Sequence, residues 1–346
     1  MKSVGRRRWT AGVVLILLGA ALLPLLNLRS GVQKSLTLYC SHDAIFADSV
    51  IRLFEHRTGI KVQVRYDEEA SKSLGLTTLL IAEKNAPRCD VFWNNQTLGT
   101  IRLKDEGVLE EYRGAGFNRI PPQFRDPGGC WAGFAARMRV FVINTDMMKV
   151  DEKAVTDLLQ SSSLSEAAIA NPLYGTTLTQ YTVFAAVMGL EQLKAWHHSL
   201  RDRGIREARG NGSVRDLVAA GACRMGFTDT DDVFVALDQK KPVGMLPVRT
   251  ESGQTIVIPN SVAMIRGCQH PDESKQFMDF LLSEEVELLL ARSASRQIPL
   301  GAVDEAKIPD EVRQLSAWAA DGISMEAAEK IQQQVLNWLS EEYRSP

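Results

Sequence analysis

From residue 35 onward, short apolar runs alternate with longer stretches whose apolar positions recur every three or four residues, a change of period that separates strands from helices. The pattern predicts a strand at Leu36–Tyr39, a helix at Ala44–His56 closed by Thr58-Gly59, and a strand at Lys61–Tyr66. A helix at Leu74–Lys84, a short strand at Asp90–Trp93 and a helix at Leu98–Glu106 follow. The Gly- and Pro-rich stretch Gly114–Gly129 predicts a loop. After it come two strands, Trp131–Phe134 and Val140–Asn144, separated by Ala135–Arg139. A second alternation runs through helical Val155–Leu159, a loop at Asn171–Thr177, one long helix from Gln180 to Leu200, and helical Val214–Ala220. Strand Arg224–Thr228, helical Val233–Leu237 and strands Val243–Pro247 and Thr255–Ile258 come next. Ser274–Leu290 and Met325–Tyr343 are predicted as long amphipathic helices. This order implies βαβ units and a mostly parallel sheet. No repeat and no low-complexity linker divides the chain. An α/β fold of two lobes joined by more than one crossover is expected, with a cleft lined by loops at strand ends.

The first thirty residues follow another pattern. Arg6-Arg7-Arg8 precede an apolar run from Ala11 to about Leu28, the form of a secretory signal. The run also reaches the roughly 18–20 residues that span a bilayer, so an uncleaved membrane anchor is the alternative. Both predict export. The leader also distorts the charge: the chain has 40 Lys+Arg and 42 Asp+Glu, but residues 1–30 hold five of the bases and no acid. The remaining 35 bases and 42 acids make the rest of the chain acidic, which argues against a nucleic-acid binder. Cys40, Cys89, Cys130, Cys223 and Cys268 form no C-x-x-C pair. One or two disulfides are open in an oxidising compartment; otherwise these are small buried side chains.

Polar clusters follow three predicted strands: Cys40-Ser41-His42-Asp43, Trp93-Asn94-Asn95-Gln96, and Thr228-Asp229-Thr230-Asp231-Asp232. A single carboxylate or hydroxyl at such a junction can cap the next helix. Three aspartates within four positions exceed what one cap needs and repel one another unless cations or amides compensate them, so a cation-facing site is expected. Trp93 is more often core packing than a ligand platform, yet with three amide side chains beside it an aromatic face there could hold a cationic ligand. Gly175-Thr176-Thr177 offers small hydroxyl residues at a helix start, and Arg137 and Arg139 lie on the segment between lobes, facing the cleft or pairing with acids. Catalytic motifs are missing: there is no G-x-S-x-G, G-x-x-x-x-G-K-[ST], H-E-x-x-H or G-x-G-x-x-G. Cys40 and His42 make a weak nucleophile–base pair, and His197-His198 reads as a surface pair. The chain is not expected to be an enzyme.

The segments Leu38-Tyr39-Cys40-Ser41-His42-Asp43, Phe54-x4-Gly59-Ile60-Lys61-Val62, Asp90-Val91-Phe92-Trp93, Arg137-x-Arg139-Val140 with Asn144-Thr145, and Ile258-Pro259-Asn260-Ser261-Val262-Ala263 carry a resemblance. Together with Phe280-Leu281-Leu282-Ser283 they resemble the bacterial extracellular solute-binding proteins of ABC transporters, of the ferric-ion-binding type. The resemblance implies a class II periplasmic-binding-protein fold. Its first lobe would span 35–134 and 253–300, and its second 135–252 and 301–346, with the leader at 1–30. It implies a monomer that captures a cation in the cleft, needs no cofactor, and delivers its ligand to an ABC permease. In that type one histidine, one glutamate and two adjacent tyrosines hold the metal; by position these fall on Asp43, Asn95 and Asp231-Asp232. None is retained in kind, yet the replacements are rich in oxygen, which suits hard cations. Ligand contacts are thus expected from Ser41, His42, Asp43, Trp93, Asn95 and Gln96 in the first lobe. Arg139, Thr176, Thr177, Asp229, Thr230, Asp231 and Asp232 are expected from the second, with Asp43, Asp231 and Asp232 on a metal. The expected ligand is ferric iron or another hard metal ion. An organic cation such as a polyamine or thiamine-like molecule is the alternative, and an exported hydrolase is a more distant one.

Overall fold

The computed structural model describes residues 33–42, 44–67 and 75–344. The leader and Asp43 lie outside the described residues. The chain enters its first sheet with β1 (Ser35–Cys40), α1 (Ala44–Thr58), β2 (Lys61–Tyr66), α2 (Gly75–Ala82), β3 (Val91–Asn94), α3 (Leu98–Asp105) and β4 (Leu109–Glu110). β1 is parallel to β2 and β3, pairing Ser35 with Lys61 and Leu38 with Val91. This is the βαβ arrangement that the alternation predicts.

The two strands expected around Ala135–Arg139 are one, β5 (Ala132–Asn144). The apolar pattern breaks there because the strand changes sheet, not because it ends. Its residues 132–138 pair with β10 (Val257–Ile265), and its residues 139–144 pair with β8 (Met225–Asp229) and β9 (Val243–Pro247). Ala135 adopts a left-handed φ of 40°, beside the register shift at Pro259/Asn260 of β10, the local bend that a bulge produces. β5 and the run from β9 into β10 are therefore two crossovers between lobes.

The second sheet continues through β8 to β6 (Ala167–Ala170) and β7 (Arg206–Ala208), both parallel. These two short strands fall in stretches without a clear period. α4 (Glu152–Gln160) precedes them. The long helix expected from Gln180 to Leu200 is two, α5 (Gly175–Met188) and α6 (Leu190–Asp202), because Gly189 has φ 90°, unsuited to helix continuation. α7 (Asn211–Ala219) and α8 (Thr230–Asp238) begin three residues earlier than expected. That shift puts Asp231 and Asp232 in the first turn of α8. The helix expected at Ser274–Leu290 divides into α9 (Pro271–Leu281) and α10 (Glu284–Ala291), since the Ser283 hydroxyl accepts from the Val286 N–H and starts a new helix.

Residues 301–346 do not all pack with the second sheet. α11 (Asp310–Ala319), not expected from the pattern, contributes Leu315 and Ala319 to the core formed by Trp93, Phe134 and Phe277. α12 (Glu326–Glu342) packs on both α5 and α3. A second-lobe core gathers Val140, Val214, Cys223 and Val233. Each large buried side chain of this kind contributes about 1.5–3 kcal/mol through removal from water. The five cysteines are free thiols, three of them buried. No helix among the described residues is long and apolar enough to cross a membrane.

Candidate functional site

Arg139 enters the second lobe on β5, fully buried, where the N-terminal ends of α5, α7 and α8 converge. A buried guanidinium is tolerated only with acceptors around it. Its Nε donates to Gln180 Oε1 at 2.9 Å, and its Nη1 donates to Asp229 Oδ1 at 2.8 Å, Asn211 Oδ1 at 3.0 Å and Thr176 Oγ1 at 3.2 Å. Asp229 occupies the N-cap position of α8, but its side chain makes no capping bond. Its Oδ2 accepts from Thr176 Oγ1 at 2.5 Å and Asn211 Nδ2 at 3.0 Å, with Arg137 Nε at 3.5 Å. Thr177 donates to Asn211 Oδ1 at 3.2 Å, and the Met138 N–H donates to Thr230 Oγ1 at 3.3 Å. The threonines of α5 do not cap it either; Tyr174 holds that position. Asp229 is thus a counter-ion for two arginines, which revises the reading of all three aspartates as one cation-facing surplus.

Asp231 and Asp232 differ from it. Asp232 accepts from Thr228 Oγ1 at 3.0 Å and lies 3.4 Å from Arg215 Nη1. Asp231 accepts the Asp232 backbone N–H at 3.2 Å, and among the described residues no cationic side chain bonds it. One carboxylate oxygen each from Asp229, Asp231 and Asp232 lie within 4.8 Å of one another, a separation that could hold a metal ion. Burial, then repulsion from Asp232, raises the Asp231 carboxyl above its ordinary range, with Arg137 opposing. Burial and the Asp229 charge raise Asp232, with the Thr228 bond and Arg215 opposing.

The described first-lobe residues bond to their own lobe or across the cleft. Ser41 donates to Asp67 at 3.0 Å. His42 stacks between Phe46 and Trp93, with ring centres 5.8 and 5.4 Å away. Trp93 is fully buried and packs against Phe134 beyond His42, so it presents no open face to a cationic ligand. Asn260 Nδ2 donates to Gln297 Oε1 at 2.8 Å, which turns the Gln297 Nε2 toward His42 Nε2 at 3.3 Å. Arg137 Nη1 donates to the Asn95 carbonyl at 2.8 Å, and Thr179 of α5 donates to Gln96 Oε1 at 2.7 Å. The Cys40 thiol donates to the His42 backbone carbonyl at 3.7 Å, not a nucleophile–base arrangement. Of the histidine pair, His198 is exposed, whereas His197 is buried against the Tyr181 hydroxyl at 3.0 Å.

The expected second-lobe residues therefore form one network, while the expected first-lobe residues form a separate wall touching it through Arg137 and Thr179. Asp43 lies outside the described residues. Asn211, Gln180, Thr179 and Arg215 are additional members. The dipeptide Gly210-Asn211 after β7 is the turn-like signal that would have located Asn211, had the three-residue strand before it been recognised.

The sequence pattern of the bacterial extracellular solute-binding proteins matches residues 49–315. The chain is 24% identical over 281 residues to iron uptake protein A1 of Synechocystis sp., covering 76% of this chain and 75% of that one. It is 24% identical over 285 residues to the major ferric iron-binding protein of Neisseria meningitidis serogroup B, covering 77% and 81%. The apo ferric ion-binding protein A of Pasteurella haemolytica superposes with a TM-score of 0.76 at 18% identity, over 90% of this chain and 98% of that one. That structure shares the two-lobed α/β fold.

Proposed function

Because the chain belongs to the bacterial extracellular solute-binding protein family, we propose that it is the capture component of an ABC importer for a hard metal ion, ferric iron first. The ion would be held between the lobes and the loaded protein would deliver it to a membrane permease. The observation that carries this reading is Asp231: a half-buried carboxylate beside Asp232, with no cationic side chain bonded to it among the described residues. Such a pair gains most from a multivalent cation with oxygen preference. The relatives named for iron uptake and for ferric iron binding support the choice of metal. A polyamine or thiamine-like cation is disfavoured because Trp93 is covered on both sides by His42 and Phe134.

A thermal-shift panel on metal-free protein tests this, using ferric nitrilotriacetate, manganese, zinc, spermidine and thiamine in separate wells. The metal arm should raise the melting temperature, and Asp231→Ala should abolish the rise while leaving the metal-free protein folded. No rise with any metal, or a rise with the organic cations alone, overturns the reading.

A further inference from the structure

The loop that follows α10 carries two consecutive side chains that bond in opposite directions, one to the C-terminal end of α8 and the other toward His42 of the first lobe. It is anchored to the crossover strand: Ala136 and Ile298 exchange both backbone hydrogen bonds, at 2.8 and 2.7 Å. Two residues before Ile298, Arg296 has a left-handed φ of 44°, a conformation that a non-glycine residue holds only when its surroundings require it. The requirement is visible in its side chain. The Arg296 guanidinium forms a two-pronged pair with Asp238 in the last turn of α8, Nη1 to Oδ2 at 2.9 Å and Nη2 to Oδ1 at 2.6 Å. It also lies 4.9 Å over the ring of Phe234 on the same helix, and its Nε donates to Glu311 of α11 at 3.0 Å. Fork-to-fork geometry and an aromatic face make this more than an ordinary surface ion pair.

The neighbouring Gln297 points the other way, to Asn260 and His42 in the first lobe. One strap therefore touches both the helix bearing Asp231 and Asp232 and the histidine opposite. We propose that Arg296 is a positioning residue that fixes α8 against the first lobe and so sets the separation of the two lobes. Nothing in this depends on which ligand the cleft takes. Loss of the strap is expected to shift the balance from the observed lobe arrangement toward wider ones by roughly threefold to tenfold.

Small-angle scattering of the metal-free full chain, with Arg296→Gly and Asp238→Asn, tests the proposal. The glycine variant removes the side chain and relieves the left-handed backbone, so a loss of fold is not expected from it. Asp238→Asn leaves that backbone untouched and decides the matter if the glycine variant misfolds. Both should enlarge the radius of gyration by the same amount while circular dichroism stays unchanged, and the double variant should add nothing further. An unchanged radius in Asp238→Asn, or additive effects in the double variant, overturns the proposal.

Discussion

The two walls of the cleft solve the problem of burying polar groups in opposite ways. The described part of the first-lobe wall relies on rings and amides: His42 is stacked between rings, and the Asn95 carbonyl and Gln96 amide accept hydrogen bonds from Arg137 and Thr179. The second-lobe wall is charged, with Arg137, Arg139 and Arg215 set against Asp229, Asp231 and Asp232. The difference matters because buried charge is costly unless paired, whereas buried amides need only ordinary hydrogen bonds. Within the charged wall, pairing is uneven: Asp229 is saturated and Asp231 is not. On the proposed function, a ligand cation would meet its strongest pull on the second lobe, and the first lobe would close over it.

The largest test of that contrast is Arg139→Ala. It removes four hydrogen bonds and leaves buried Asp229 with Arg137, 3.5 Å away, as its remaining cation. The expected loss is about 3–5 kcal/mol in urea unfolding, as for other broken buried pairs. A loss below about 1 kcal/mol, no more than a surface pair is worth, would mean that water reaches the network and that the charged wall is not as dry as it looks.

Asp231→Asn should act in the other direction. Burial and like charge raise the folded-state affinity of this carboxyl for its proton, so folding takes up protons there. The sign follows: the group's cost is absent below the ordinary carboxylate range and grows as the pH rises toward neutrality. Metal-free protein should lose about 1–2 kcal/mol over that interval on account of the pair, and the asparagine variant should lack this slope and be more stable near neutral pH. Equal slopes in both proteins would show that Asp231 is compensated by something other than a ligand.

Much of this was legible before any coordinates. The βαβ order of the first lobe, the crossover architecture and the aspartate cluster follow from period and composition, because amphipathic elements must bury one face whatever the tertiary context. What was not legible arises where tertiary pairing overrides local pattern. Ala135–Arg139 interrupts the apolar alternation yet stays extended, since both sheets bond the same strand. The early start of α8 moves Asp231 and Asp232 from a loop into a helix. Asp229 suits a cap by residue type and position, the alternative to a ligand contact, but two buried arginines take its oxygens instead. Trp93 could be read as core or as ligand platform, and the rings of His42 and Phe134 packed against it decide for the core, which a sequence does not reveal.

The smallest effect is the most direct probe of how the walls meet. Thr179→Val keeps the volume of the side chain and removes its hydroxyl, so Gln96 Oε1 loses its donor across the cleft. A single neutral hydrogen bond of this kind is worth about 0.5–1.5 kcal/mol net. If the bond forms only when the lobes are together, the cost falls on that arrangement and not on the folding of either lobe. Unfolding by urea should then change by less than ligand release does, and release should accelerate by roughly twofold to tenfold. Equal changes in both would place Gln96 and Thr179 in a permanently formed interface. The first-lobe wall would then be part of the scaffold and not the half of the cleft that moves.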